Sequence, residues 1–231
     1  MQPELPTTLV PLDEKIDPRH TALLVVDLQN DFCADGCALA RTGADVAPAQ
    51  AAARRMSELI DVARETGVLA IFVRLIGDPV TETAVWVDQR IRRAGAPYKP
   101  WATVDSHGAA FYVVEPRPGE PVIDKYRYAS FQGTKLEFVL RRHGIRTLVV
   151  GGVATNVCVE TAVREAFVRD LYVVLVRDGC AGTSQEAHDA AIENLGRFFC
   201  QVVDAQDVID LWRGPGERPT ATAVGGAIGR D

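Results

Sequence analysis

The chain has few histidines (four), an odd number of cysteines (five), and no apolar run near the ~20 residues that a membrane-spanning helix needs. Its opening, MQPELPTTLVPLDEK, lacks the basic-then-apolar order of a secretory leader, so a cytoplasmic location is expected. Lys and Arg form no concentrated patch and the net charge is −6, which argues against nucleic acid or a membrane as partner and favours a small soluble molecule. Cys33, Cys37, Cys158, Cys180 and Cys200 are scattered over a chain too large to need staples, and they read as free thiols in a reducing compartment. The spacing in CADGC suggests half a metal site, but no neighbouring Cys or His completes it, so no metal and no cofactor is expected.

What is present is ample apolar material, 47% of 231 residues, arranged as short β-branched runs alternating with segments of helical period. That alternation predicts one α/β domain over 1–212: a doubly wound, mainly parallel six-stranded sheet with helices on both faces. Strands are expected at 21–26, 68–73, 121–125, 146–153, 171–176 and 198–203. Helices are expected from Pro48 to Thr66, from Thr134 with Glu137 as a capping box to Gly144, and from Asn156 to Arg169. Two more are expected behind a Thr183/Glu186 cap and from Asp204 to Trp212. The stretch 74–118 reads as a long irregular loop, and loops of that length are usually functional. The tail 213–231 has too little apolar content to pack by itself and reads as flexible or laid on a partner subunit.

In parallel sheets ligands bind at the carboxyl ends of the strands, and three polar residues fall there: Asp27, Lys125 and Cys158. Each has a bland reading, as a cap, a solvated charge or a core thiol. Cys158 points about 100° away from the centre of the apolar stripe of its helix, and in the first turn the helix dipole would favour its thiolate. A thiol nucleophile also needs a base, a nearby positive charge and oxyanion donors. No histidine is well placed as base. Asp27 can take that role, Lys125 the charge, and the glycine-rich turn before Cys158 the backbone donors. Residue chemistry alone leaves core thiol and nucleophile equally open.

Three motifs go further. VVDLQNDF around Asp27, DKYRYASF around Lys125 and GGVATNVCVETAVREA around Cys158 resemble, in order and spacing, the isochorismatase-like cysteine hydrolases, over about Ile16 to Trp212. The resemblance implies an Asp27-Lys125-Cys158 triad, a cis peptide between Val153 and Ala154, and an oxyanion hole from the N–H groups of Ala154 and Cys158. It also implies a homodimer or homotetramer. Cysteine at 158 argues against the etherase branch, and a histidine-free FVRLIGDPVTETAVW argues against the zinc-dependent nicotinamidase branch. KYRYASF looks most like the ureidoacrylate and N-carbamoyl amidohydrolase group, in which a tyrosine at the place of Tyr128 helps bind substrate. The expectation is a cysteine amidohydrolase that cleaves a C–N bond of a small amide, carbamoyl or ureido substrate through a thioester and releases ammonia. Asn30, Phe32, Tyr128, Trp86 and Trp101 are candidate pocket residues, although both tryptophans could equally be packing. The alternatives are an isochorismatase-type vinyl ether hydrolase and a non-catalytic small-molecule-binding homologue.

Overall fold

The computed structural model describes residues 7–94 and 97–214. All six strands are parallel: β1 Thr21–Val26, β2 Leu69–Leu75, β3 Val122–Lys125, β4 Thr147–Val153, β5 Tyr172–Ala181 and β6 Gln201–Val203, in the order β3-β2-β1-β4-β5-β6. The helices are α1 Leu12–Lys15, α2 Asn30–Cys33, α3 Ala47–Thr66, α4 Ala84–Ala94, α5 Leu136–Arg142, α6 Glu160–Phe167, α7 Gln185–Phe198 and α8 Ala205–Arg213. From residue 215 onward the expected tail lies outside the described residues.

Side chains alternate across a strand, so β1 feeds two cores at once. Leu23 and Val25 pack with Met56, Leu59 and Ile60 of α3 and with Val208, Ile209 and Trp212 of α8. Ala22, Leu24 and Val26 pack on the other face with Leu136 and Leu140 of α5 and with Ala162, Val163 and Ala166 of α6. The Trp212 indole donates to the Ile16 carbonyl at 2.9 Å, tying the last helix to the segment before β1.

Several local boundaries differ from the sequence reading. Thr134 and Glu137 form no capping box: the Thr134 hydroxyl accepts the Leu136 N–H at 3.1 Å, and Glu137 pairs with Arg141. Ser184, not Thr183, caps α7 by accepting the Ala187 N–H, because Thr183 is held by Asn156. The expected helix from Asn156 splits into a π turn, Thr155–Val159, followed by α6. The strand expected from residue 198 begins at Gln201, since Phe198 still belongs to α7. The stretch 74–118 is not simply irregular either, because it contains α4.

Candidate active site

The chain order places β1 beside β4 and sends the connections on either side of that pair in opposite directions, so a crevice opens at their carboxyl ends. Asp27 is the first residue past β1. It sits at φ 52, a left-handed conformation that a short polar side chain tolerates, while its N–H donates to the Val73 carbonyl of β2 at 2.9 Å. The loop that follows is fixed by two side chains whose roles the sequence reading missed. Buried Gln29 donates to the Leu75 and Ala109 carbonyls at 2.9 and 3.0 Å and accepts the Leu75 N–H at 2.8 Å. Asp31 accepts the N–H groups of Ala38 and Ala102 at 3.0 and 2.7 Å, which anchors the residue next to Trp101.

Lys125 ends β3, two strands away from β1. At about 4.8 Å per strand that gap is roughly 10 Å, which calls for one of the longest side chains available. Its ammonium is fully buried and lies 2.8 Å from Asp27 Oδ2, and it also donates to the Arg127 and Tyr128 carbonyls at 3.2 and 3.3 Å. Burial works against its charge, but Asp27 and Cys158 outweigh burial and hold its pKa above the ordinary lysine value. The loop after it is pinned from α6: Glu165 accepts the N–H groups of Ser130, Phe131 and Gln132 at 2.7, 3.0 and 3.2 Å.

Cys158 lies in the π turn between β4 and α6, after a cis peptide at Val153–Ala154. It is buried and touches both the core beneath the turn and the cavity above it. The expectation of a thiol poised to ionise at an α-helical first turn is corrected here. Burial first, then the Asp27 charge, push this thiol up to about 12, and Lys125 only partly opposes them. The Asp27 and Lys125 charges act on it in opposite senses. Beneath the turn, the Thr155 hydroxyl meets His188 Nδ1 at 2.8 Å, so this buried histidine braces the turn and stands apart from the thiol.

A cavity of about 210 Å³ opens over this group, lined by Asp27, Cys158, Val153, Ala154, Phe32, Tyr128 and Trp101 and, from α4, by Arg90 and Arg93. Of the expected pocket residues, Asn30 is not on its wall: its amide donates to the His107 carbonyl at 2.8 Å and holds the loop. Trp86 is not on that wall either and packs on the Tyr128 ring, with centroids 5.0 Å apart. The sequence reading missed Arg90 and Arg93, because α4 carries no apolar stripe toward the core. Val85 and Ile91 are exposed, and of its basic side chains Arg90 and Arg93 line the cavity. Among the described residues no group of three or more His, Cys, Asp or Glu stands close enough to hold a metal ion, and no helix is long and apolar enough to cross a membrane.

Fold and site together define a three-layer α/β protein with a thiol, a carboxylate and an ammonium gathered at the switch point of its sheet. An isochorismatase domain model matches residues 21–207. The ureidoacrylate amidohydrolase RutB of Enterobacter sp. strain 638 is 32% identical over 228 residues, covering 88% of this chain and 95% of that one. The RutB of Methylobacterium radiotolerans is 29% identical, covering 91% and 86%. Among solved structures, a cysteine hydrolase from Pseudomonas syringae pv. phaseolicola superimposes with TM-score 0.74 at 24% identity, covering 90% of this chain and 99% of that one. The N-carbamoylsarcosine amidase of Thermoplasma acidophilum gives 0.64 at 24%, covering 80% and 96%, a likeness of fold. The chain belongs to the isochorismatase family.

Proposed function

We propose that this chain is a cysteine amidohydrolase that cleaves a C–N bond of a small amide, carbamoyl or ureido substrate and releases ammonia. The observation that carries the reading is the buried Asp27–Lys125 ion pair set against Cys158 on the cavity wall. Relatedness along nearly the whole chain to two ureidoacrylate amidohydrolases supports the reaction class.

A thiol at about 12 does not wait as thiolate. It does not need to, because moving its proton to Asp27 leaves the net charge of the buried group unchanged, whereas losing it to solvent would strand a second anion there. Asp27 therefore takes the proton as sulfur attacks the carbonyl carbon. The N–H groups of Ala154 and Cys158 hold the developing oxyanion. The proton passes from Asp27 to the leaving nitrogen, the C–N bond breaks, and ammonia departs from a thioester. Asp27 then draws a proton from water, hydroxide adds to the thioester, and sulfur leaves with that proton. Lys125, 2.8 Å from its carboxylate, holds Asp27 in place as the proton comes and goes. Phe32, Tyr128 and Trp101 shape the walls, and the working unit is a homodimer or homotetramer. Replacing Cys158 by Ala or Ser is expected to lower ammonia release at least a thousandfold in a folded protein. A variant that kept most of the wild-type rate would overturn the assignment.

A further inference from the structure

Cys158 stands on a turn that two side-chain pairs clamp to the start of α7, and the chemistry above uses neither pair. The Thr155 hydroxyl meets Nδ1 of His188 at 2.8 Å, and both side chains are buried. One residue on, the Asn156 amide donates to the Thr183 hydroxyl and accepts the Thr183 N–H, both at 2.9 Å. Gly182 closes the clamp from the β5 side: a Cβ there would lie 2.8 Å from the His188 Cβ and 2.9 Å from its backbone nitrogen. Gly182 and Thr183 line the cavity, whereas His188 does not.

Among the described residues the ring is the sole hydrogen-bond partner of the Thr155 hydroxyl. A hydroxyl at 0% exposure satisfies its proton only by donating it, so Nδ1 is the acceptor and the ring proton belongs on Nε2. Burial favours this neutral ring and holds its pKa below the ordinary histidine value; Asp189, next along α7, works against that, and Arg177 of β5 works with it. Asp189 accepts from Gln185 at 2.8 Å and Arg177 is paired with Asp204 at 2.8 Å, while the π turn, TNVCV, brings no side chain charged at neutral pH. A protonated ring could only donate through Nδ1, which would leave the Thr155 proton buried without an acceptor.

We propose that His188 is a positioning residue for the nucleophile: by accepting the Thr155 hydroxyl it fixes the first residue of the π turn, and with it the Cys158 thiol three residues on. The proposal rests on the amidohydrolase reading for what the thiol does; the clamp itself rests on the two hydrogen-bonded pairs. A single π turn lacks the regular ladder that stiffens an α-helix, and its closing bond, from the Val159 N–H to the Ala154 carbonyl, is 3.2 Å long. A reacting group misplaced by about 1 Å can cost on the order of a hundredfold in rate, so the turn needs an outside brace.

The test compares His188→Leu, which removes the acceptor, with His188→Asn, whose Oδ1 stands as many bonds from the backbone as Nδ1 and accepts without taking up a proton. Ammonia release is followed with whichever of N-carbamoylglycine, biuret and 3-ureidopropionate wild-type protein hydrolyses fastest. His188→Leu is expected to lower kcat about tenfold or more per folded molecule with KM within about twofold, and His188→Asn to regain most of that loss and to keep its rate to lower pH than wild type. A wild-type kcat in His188→Leu, or equal losses in the two variants, overturns the proposal. If His188→Leu fails to fold, nitrogen NMR of histidine-labelled wild-type protein decides: a neutral His188 with its proton on Nε2 at pH 7 supports the brace, and a charged ring or a proton on Nδ1 overturns it. Alkylation of Cys158 by iodoacetamide at pH 8 needs no turnover, and it is expected to quicken about threefold or more in His188→Leu and to stay near wild type in His188→Asn. If alkylation responds in that way and no probe yields ammonia, the amidohydrolase reading fails and the brace stands; if ammonia is released equally by His188→Leu and wild type, the brace fails and the reading stands.

Discussion

At the scale of single residues, the protonation of Cys158 is the outcome of a contest that its neighbours decide. Burial and the Asp27 carboxylate raise its pKa, while the Lys125 ammonium lowers it, and the first two win. Asp27→Asn removes one of the raising causes and leaves the lowering one, so the thiol should move back down toward the ordinary range. The Cys158 peptide in that variant is expected to be alkylated by iodoacetamide several times faster at pH 8 than in wild type, while ammonia release is lost. Slower or equal alkylation, followed by mass spectrometry, would mean that Asp27 does not govern the thiol. Buried thiols elsewhere share the raised pKa without the partners: Cys33 and Cys180 are both pushed to about 12, chiefly by burial, and no cation opposes it at either site. The ammonium beside the thiol, and the proton acceptor beside both, separate Cys158 from them.

At the scale of elements, the site depends on how tightly β4 approaches β1. Gly152 sits at φ 133, and a Cβ there would run into the Val26 carbonyl of β1. The neighbouring register with β5 is also broken between Val150 and Gly152, which re-aims the end of β4 just before the turn that holds Cys158. Gly152→Ala is expected to cost about 3 kcal/mol of stability or more, since backbone strain and overpacking act together. Urea unfolding checks this, and a midpoint within error of wild type would refute it. Helix α4 shows the opposite economy. It places Arg90 and Arg93 at the cavity while leaving Val85 exposed.

At the scale of the whole molecule, stability should respond to pH through the buried thiols. Cys33, Cys158, Cys180 and Cys200 all sit at about 12 in the fold against an ordinary value of 9.0. The folded chain therefore holds protons that the unfolded chain releases above pH 9. That contribution is fully present below pH 9 and is lost as pH climbs from there toward 12. Urea midpoints are expected to be flat from pH 7 to 8.5 and to fall steadily by pH 10.5. Replacing Cys33 by Ala should flatten part of that fall, and an unaltered slope would assign it to other groups.

The sequence alone determined the layering, because a run such as TALLVV, apolar at every position, is stable only between two packed faces, and the alternation of strands with helices leaves few other folds. It also pointed to Asp27, Lys125 and Cys158, since each follows a strand and each stands in a motif. Helix ends, the π turn and α4 were hidden, because hydroxyl caps compete with equally good local partners and because an amphipathic pattern does not say what the helix faces. Tertiary structure alone decided the rest. It carried a lysine across two strands to one carboxylate, spent Asn30 on a loop, and set Arg90 between indoles 15 positions apart in the sequence. Those outcomes depend on distances between segments that no local pattern encodes.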